Sequence, residues 1–225
     1  MVPLDSVVKK WLPVAAVVLL IILCALVLLA PAESRLGNLV KLVYVHGALV
    51  WAGLATFTLA GALGLVALAV RHLARSAGCA QKWYRATRAA GVAALVIWII
   101  YVISAILVTG LTWGQWIAWN EPRVQATALI LGAALVLALV ARLVGHPDFT
   151  AIVNVVMGIL PWILVSRADA IRHPVDPIGG SNSSSIQGYF LLIQLAVLAL
   201  AAILVAWLWA RAEQQAAEGK DVPAS

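Results

Sequence analysis

Apolar residues fill six long stretches of the chain, roughly 12–30, 43–70, 89–111, 124–144, 149–166 and 189–209, and charged residues collect between them. A helix crosses the hydrocarbon core of a bilayer in about 20 residues. Across apolar runs of this length only helices satisfy their own backbone polar groups. The pattern therefore predicts an all-α integral membrane protein, a six-transmembrane-helix bundle. Residues 1–210 form a single membrane domain, and 211–225 a short cytoplasmic helix that frays into a tail. The second stretch is long enough to project beyond the bilayer or to tilt. "GLTWG" has a small-xxx-small spacing that permits close helix contact, and no internal repeat is evident.

Composition agrees. The chain has 225 residues, 64% of them hydrophobic and only 11% charged, whereas about a quarter of the residues in soluble domains are charged. The net charge is +6, but its placement carries more information than its sum. Lys9, Lys10, Arg71, Arg75, Lys82, Arg85, Arg88, Arg142, Arg211 and Lys220 fall at one set of span ends. Arg35, Lys41, Arg123, Arg167 and Arg172 fall at the other. By the positive-inside rule both termini are cytoplasmic and the tryptophan-rich stretch at 112–123 faces outward. Basic residues at span ends report orientation, and no nucleic-acid partner is expected. "KK", the first apolar run and "APAES" also resemble a signal peptide with a small-residue cleavage site. That run is longer than a usual signal core, so a retained helix is expected. Cys24 and Cys79 sit about a membrane thickness apart and cannot pair. Cys24 reads as a small core hydrophobe and Cys79 as a reduced thiol. The lack of CxxC and CxxCH leaves no site for thiol redox work or covalent haem attachment.

On this topology the outer face gathers residues 31–42, 112–123 and 167–188. It receives His46 from the start of span 2, His173 from just beyond span 5, and "TWGQWIAWNEPR" with Trp113, Trp116 and Trp119. Interfacial tryptophans form an aromatic belt in most membrane proteins, and Trp11, Trp83, Trp162, Trp207 and Trp209 fit that role. Three indoles in seven residues exceed it, and their spacing aligns them in a stripe if the segment is helical. Two histidines without a third donor make a poor zinc site, whereas haem iron has two axial positions that a histidine pair fills. Indole faces suit a flat apolar porphyrin, and Arg123, Arg167 or Arg172 suit its propionates.

At these residues the chain resembles the CcmC-type haem-handling proteins of cytochrome c maturation, within the tryptophan-rich WWD superfamily. That pattern runs roughly W-G-x-W-W-x-W-D-x-R on an outward loop between spans 3 and 4. Trp113, Gly114, Trp116 and Trp119 match it. Ile117 stands in place of a tryptophan, Asn120 and Glu121 stand where the family has one aspartate, and Arg123 aligns with one inserted residue. Tyr44, His46 and Trp51 match a "Y-x-H…W" context, and "ADAIRHPVDP" supplies His173 without the family's tryptophan doublet. The resemblance implies axial haem ligation by His46 and His173 and a platform of Trp113, Trp116 and Trp119. It makes Arg123 a partner for propionate or chaperone, with Asn120 and Glu121 beside it. It implies transient, non-covalent haem b in the inner membrane. A periplasmic haem chaperone (CcmE-like) receives it, assisted by ABC transporter subunits (CcmA/CcmB-like). No reaction catalysed by this chain is implied.

Three other readings stay open. A permanent electron-transfer subunit predicts histidines at mid-depth within spans, and none is there. A haem-free transporter typically carries ionisable groups deep in the membrane. Here Asn154 and Gln194 are the main polar side chains within spans 5 and 6, and either serves equally well as a bond between helices. A scaffold without cofactor would use its tryptophans for lipid anchoring. "NSS" at Asn182 fits a glycosylation acceptor, and "DPIGGSNSSS" reads as a linker rather than a lid.

Overall fold

The structure, a computed structural model, describes residues 4–169, 171, 178 and 180–218, with side chains from Trp11 onward within that range. Among the described residues six helices, α1 (Leu4–Leu29), α2 (Val40–His72), α3 (Ala77–Trp113), α4 (Pro122–Val144), α5 (Pro147–Arg167) and α6 (Ser184–Glu218), form the fold. All six are long and apolar enough to cross a membrane, so the chain is a multi-pass membrane protein.

Local chemistry sets the helix ends. Proline occupies the first turn of α4 and of α5, where its missing N–H costs nothing and its fixed φ suits the helix. Gly114 follows α3 at φ 70° and Gly145 follows α4 at φ 67°, left-handed positions that glycine takes without Cβ strain. At the start of α5 the His146 Nδ1 accepts the Asp148 backbone N–H at 3.3 Å.

Long-range contacts fix which ends lie together. Tyr44 at the start of α2 donates to the Pro31 carbonyl, 3.2 Å away, and His46 meets Ser104 near the end of α3. Glu121, before α4, meets Ile171, after α5. This is the tryptophan end. At the opposite end, His72 Nε2 lies 3.0 Å from Asp148 Oδ2 and the Tyr84 hydroxyl donates to the same carboxylate. There Arg85 grips Glu213 through Nε and a terminal nitrogen, both at 2.8 Å.

α2 and α3 form the centre, with α5 against α2, α6 against both, and α4 outside α5; α1 leans mainly on α6. Buried Tyr44, Ala48, Ala52, Ile193 and Val197 fill one cluster. Leu54, Phe57, Trp98, Ile130 and Met157 fill a second. Small residues let backbones touch where lipid gives no hydrophobic drive for association. A Cβ on Gly61 would stand 3.1 Å from the Gly158 Cα, and one on Gly64 would stand 2.7 Å from the Ala151 carbonyl oxygen. Asn154 is buried beside this crossing. Its Nδ2 lies 3.0 Å from both the carbonyl and the hydroxyl oxygen of Thr87, and the Thr87 hydroxyl donates to the Ala60 carbonyl at 2.7 Å. Asn154 therefore does serve as a bond between helices.

Two expectations change. The charged stretch 71–88, read as lying between spans, is mostly helix, because α3 begins at Ala77; the helix expected from residue 211 is present as far as Glu218, continuous with α6. The reason is composition: "QKWYRATRAA" and "ARAEQQAAE" are rich in good helix formers. The two extensions also brace each other through Arg85–Glu213 and through Lys82 over the Trp209 ring, 5.5 Å from its centroid. Within α6, Trp209 donates to Glu213 at 3.0 Å, which orients the carboxylate that Arg85 grips from α3. Cys24 is exposed on α1 rather than in the core, because α1 lies at the edge of the bundle and turns most of its surface outward.

Candidate functional site

His46 sits on the second turn of α2, partly buried against α3. Its ring stacks on Tyr101, with centroids 4.9 Å apart and planes at 24°. Its Nδ1 is 3.1 Å from the Ser104 hydroxyl oxygen. That hydroxyl in turn donates to the Tyr101 carbonyl at 2.6 Å. A serine hydroxyl has one proton to give. Since that proton goes to the carbonyl, the oxygen accepts from His46, and Nδ1 carries the hydrogen. The neutral imidazole then holds its lone pair on Nε2, the nitrogen that binds a metal when Nδ1–H is anchored.

Tyr101 extends the arrangement into the core. Its hydroxyl lies 3.2 Å from Thr127 Oγ1 on α4, and the Trp98 indole N–H donates to the Thr127 carbonyl at 3.3 Å. Trp98 is fully buried, 4.7 Å from Tyr101 and 5.8 Å from Phe57, centroid to centroid. These contacts fix the rotamer on which His46 rests. Arg123 lies one turn before Thr127 on α4.

Trp113 ends α3, and residues 114–121 form a loop. The three tryptophans therefore do not make a helical stripe; Gly114 breaks the helix after the first. Trp116 folds back so that its ring lies against Gly110, where a Cβ would collide with it. Its carbonyl oxygen is 2.9 Å from the Thr109 hydroxyl. The Trp119 carbonyl accepts from Gln125 Nε2 at 2.7 Å, and the Glu121 N–H donates to the Ala118 carbonyl at 2.9 Å. The loop backbone is tied at three points. Its apolar side chains still face outward: Trp116 is 57% exposed, Ile117 50% and Trp119 60%. Trp113 is half-buried and Asn120 exposed. So much exposed apolar area on one tethered loop marks a surface for lipid, ligand or partner. From Ser104, which holds His46, to Gly110, which holds Trp116, is six residues, a rise of about 9 Å.

Glu121 points inward. It is 1% exposed, and its Oε1 accepts the Ile171 backbone N–H at 3.2 Å. The carboxylate thus ties the segment after α5 to the base of the tryptophan loop. His173 and Arg172 follow Ile171 directly in sequence but lie outside the described residues, as do Pro174–Pro177 and Gly179. Arg123 is half-buried on the first turn of α4 and Arg167 is exposed at the end of α5. The structure therefore brings His46, Tyr101 and Ser104 together. It sets the loop nearby and Trp51 apart, 6.0 Å from Trp162. Ser104, Tyr101, Gly110 and Gln125 are the residues that sequence reading missed. The signal for Ser104 was a hydroxyl three residues after a tyrosine inside an apolar run. Among the described residues no three His, Cys, Asp or Glu side chains converge as a metal site. No protein-family model matches this chain, and no curated protein matches it.

Proposed function

We propose that the chain binds haem b non-covalently at its tryptophan end and presents it there to a haem chaperone of the cytochrome c maturation type. The observation that supports this reading is the hold on His46, whose ring stacks on Tyr101 and whose Nδ1 meets a Ser104 hydroxyl already committed to the Tyr101 carbonyl. Haem supplies an iron whose axial positions take imidazole nitrogens. His46 is one ligand and His173 the other. Trp113, Trp116 and Trp119 wall the porphyrin, and Arg123 meets a propionate. Glu121 keeps the segment leading to His173 against the loop, and Asn120 stands at the loop surface. Ligands at span ends, beside an exposed loop, suit a cofactor that has to leave. Handling rather than catalysis is the proposed role, with ABC transporter subunits assisting release.

The orientation belongs to the proposal too. Ten of the fifteen basic residues fall at the end opposite the tryptophan loop, which supports a cytoplasmic placement of that end in the inner membrane. Cys79, exposed near the start of α3, reports on it: a membrane-impermeant maleimide labels it in inverted vesicles and not in intact spheroplasts.

The deciding experiment is an absorption spectrum of the detergent-purified protein with added haem. Wild type gives a saturable Soret band; His46→Ala and His173→Ala each shift or weaken it. If neither substitution changes the band, the ligand assignment is wrong. Loss of the band to an apo-chaperone separates delivery from permanent electron transfer, which predicts that the band persists. A wild-type protein with no band at all supports the scaffold reading.

A further inference from the structure

At the opposite end of the bundle α3 and α4 part company. Near the tryptophan loop Tyr101 and Trp98 bridge to Thr127, but α4 otherwise leans on α5 and touches α3 little. The gap is a cleft of about 460 Å³ between α3, α4 and α5. Clefts of roughly 300–1,000 Å³ enclose a drug-sized molecule. Its inner wall includes Phe57, Leu95, Ala134 and Met157, each near the midpoint of its helix. Its outer end reaches Gln81 and Gly145. Along α3, Gln81 to Leu95 is a rise of about 21 Å. The cleft therefore runs from the end of the bundle to mid-membrane.

Its two ends differ in chemistry. The deep part is mainly apolar, with Asn154 the polar side chain on its α5 wall, and Ala134, Ala138 and Ala141 make α4 the thin wall that leaves the space. The mouth carries Arg85, Arg88 and Arg142, and among the described residues no acidic side chain lines the cleft. Arg85 is engaged by Glu213. Arg88 and Arg142 are exposed and have no carboxylate partner among the described residues. Asp148, next to the lining residue Pro147, is occupied by His72 and Tyr84. Guanidinium forks match the oxygens of carboxylates and phosphates.

We propose that this cleft binds an anionic amphiphile, its apolar body lying along Leu95 and Ala138 toward Met157 and its carboxylate or phosphate head held by Arg88 and Arg142. The site is separate from the His46 site, and neither requires the other. Two sources supply such a molecule: an anionic phospholipid of the surrounding leaflet, or a free long-chain carboxylate.

The test uses the full chain in nanodiscs of phosphatidylcholine, titrated with anthroyloxy-stearate and with its uncharged methyl ester. Saturable binding of the acid is expected, about tenfold weaker for the ester and for the R88Q/R142Q double variant. Ala138→Trp, which fills the cleft, is expected to abolish it, and His46→Ala to leave it unchanged. Both arginines are exposed, so the double variant folds whether or not the tryptophan variant does. Competition by nanodiscs containing phosphatidylglycerol assigns the lipid as the source; binding that persists there assigns the free carboxylate. The proposal is overturned by absence of saturable binding, or by binding that R88Q/R142Q leaves at wild-type strength.

Discussion

Gly110→Ala is the sharpest probe of how the tryptophan loop is positioned. A Cβ at residue 110 would lie 2.6 Å from Trp116 Cδ2 and 2.7 Å from Cζ3. Carbon atoms in contact sit about 3.5–4.0 Å apart, so the ring has to retreat by roughly an ångström. Overpacking of this kind costs about 1–3 kcal/mol in a closed core, but Trp116 is 57% exposed and can swing outward, which puts the cost at the low end. Against it stands the gain from replacing glycine within a helix, about 1 kcal/mol. The two nearly cancel. The variant is therefore expected to unfold within about 1 kcal/mol of wild type while its loop is rearranged. Trp116 carrying a 19F-indole reports the ring's surroundings directly, and haem titration reports the platform. The expected result is a moved 19F resonance, haem affinity down about tenfold, or 1.4 kcal/mol, and no further loss when Trp116→Ala is added. A variant stabilised by the full helix gain, with an unmoved resonance, would refute the contact between Gly110 and Trp116.

Other substitutions test separate links. Asn154→Leu removes both Nδ2 contacts to Thr87 and drives a branched side chain at Gly91, against which Asn154 packs. Interhelical hydrogen bonds in membranes average about 0.6 kcal/mol and reach about 1.7, so with the steric conflict a loss of roughly 1–3 kcal/mol is expected in reversible unfolding from bicelles. Glu121→Ala frees the Ile171 amide, whose hydrogen exchange accelerates while amides in the middle of α4 keep their protection; unchanged exchange at Ile171 would remove Glu121 from its tethering role. Glu33 accepts from the Leu36 N–H at 2.9 Å, from the Ser34 hydroxyl at 2.7 Å and from the Arg35 N–H at 2.9 Å. These bonds, Leu36 first, hold its carboxyl below the ordinary value of 4.5. The turn at 33–37 is thus fully supported above the ordinary value. It loses that support as pH falls through the lowered one, which amide chemical shifts of Arg35 and Leu36 over an acid titration will follow.

The six spans were legible because a bilayer demands long, continuous apolar runs, and nothing else in the chain imitates them. The helix ends were less so. Apolar length marks where lipid begins, whereas α3 and α6 continue into water on alanine, glutamine and arginine, and the Arg85–Glu213 pair that steadies them spans 128 residues of sequence. No local pattern announces such a partnership. Cys24 was misplaced for a related reason: hydropathy separates lipid from water but not lipid from protein interior, and an edge helix like α1 looks the same as a central one.

For the site, the residue types were visible and their arrangement was not. His46 and the tryptophan cluster stand out by chemistry. The tautomer of His46 depends on a hydroxyl at Ser104 that is already committed to the Tyr101 carbonyl, a relation that exists only once α2 and α3 are side by side. Gly114 shows the converse. It matched a motif as a letter, and its φ of 70° gives the physical reason: it ends α3 immediately after Trp113, so that Trp116 turns back onto Gly110 and Trp119 is carried outward. A tryptophan spacing of three suggested a helical stripe, but the glycine between the first and second indole converts that spacing into a loop with two exposed rings. An arrangement of this kind offers a flat ligand a wall that shifts with its loop rather than a fixed slot in the bundle. Under the proposed haem-handling role, the hold on His46 by Tyr101 and Ser104 keeps the cofactor on one side, and the tethered but exposed loop is the side from which it leaves. A Gly114→Ala variant, strained at a positive φ, would then slow or misdirect release more than it weakens ligation by His46.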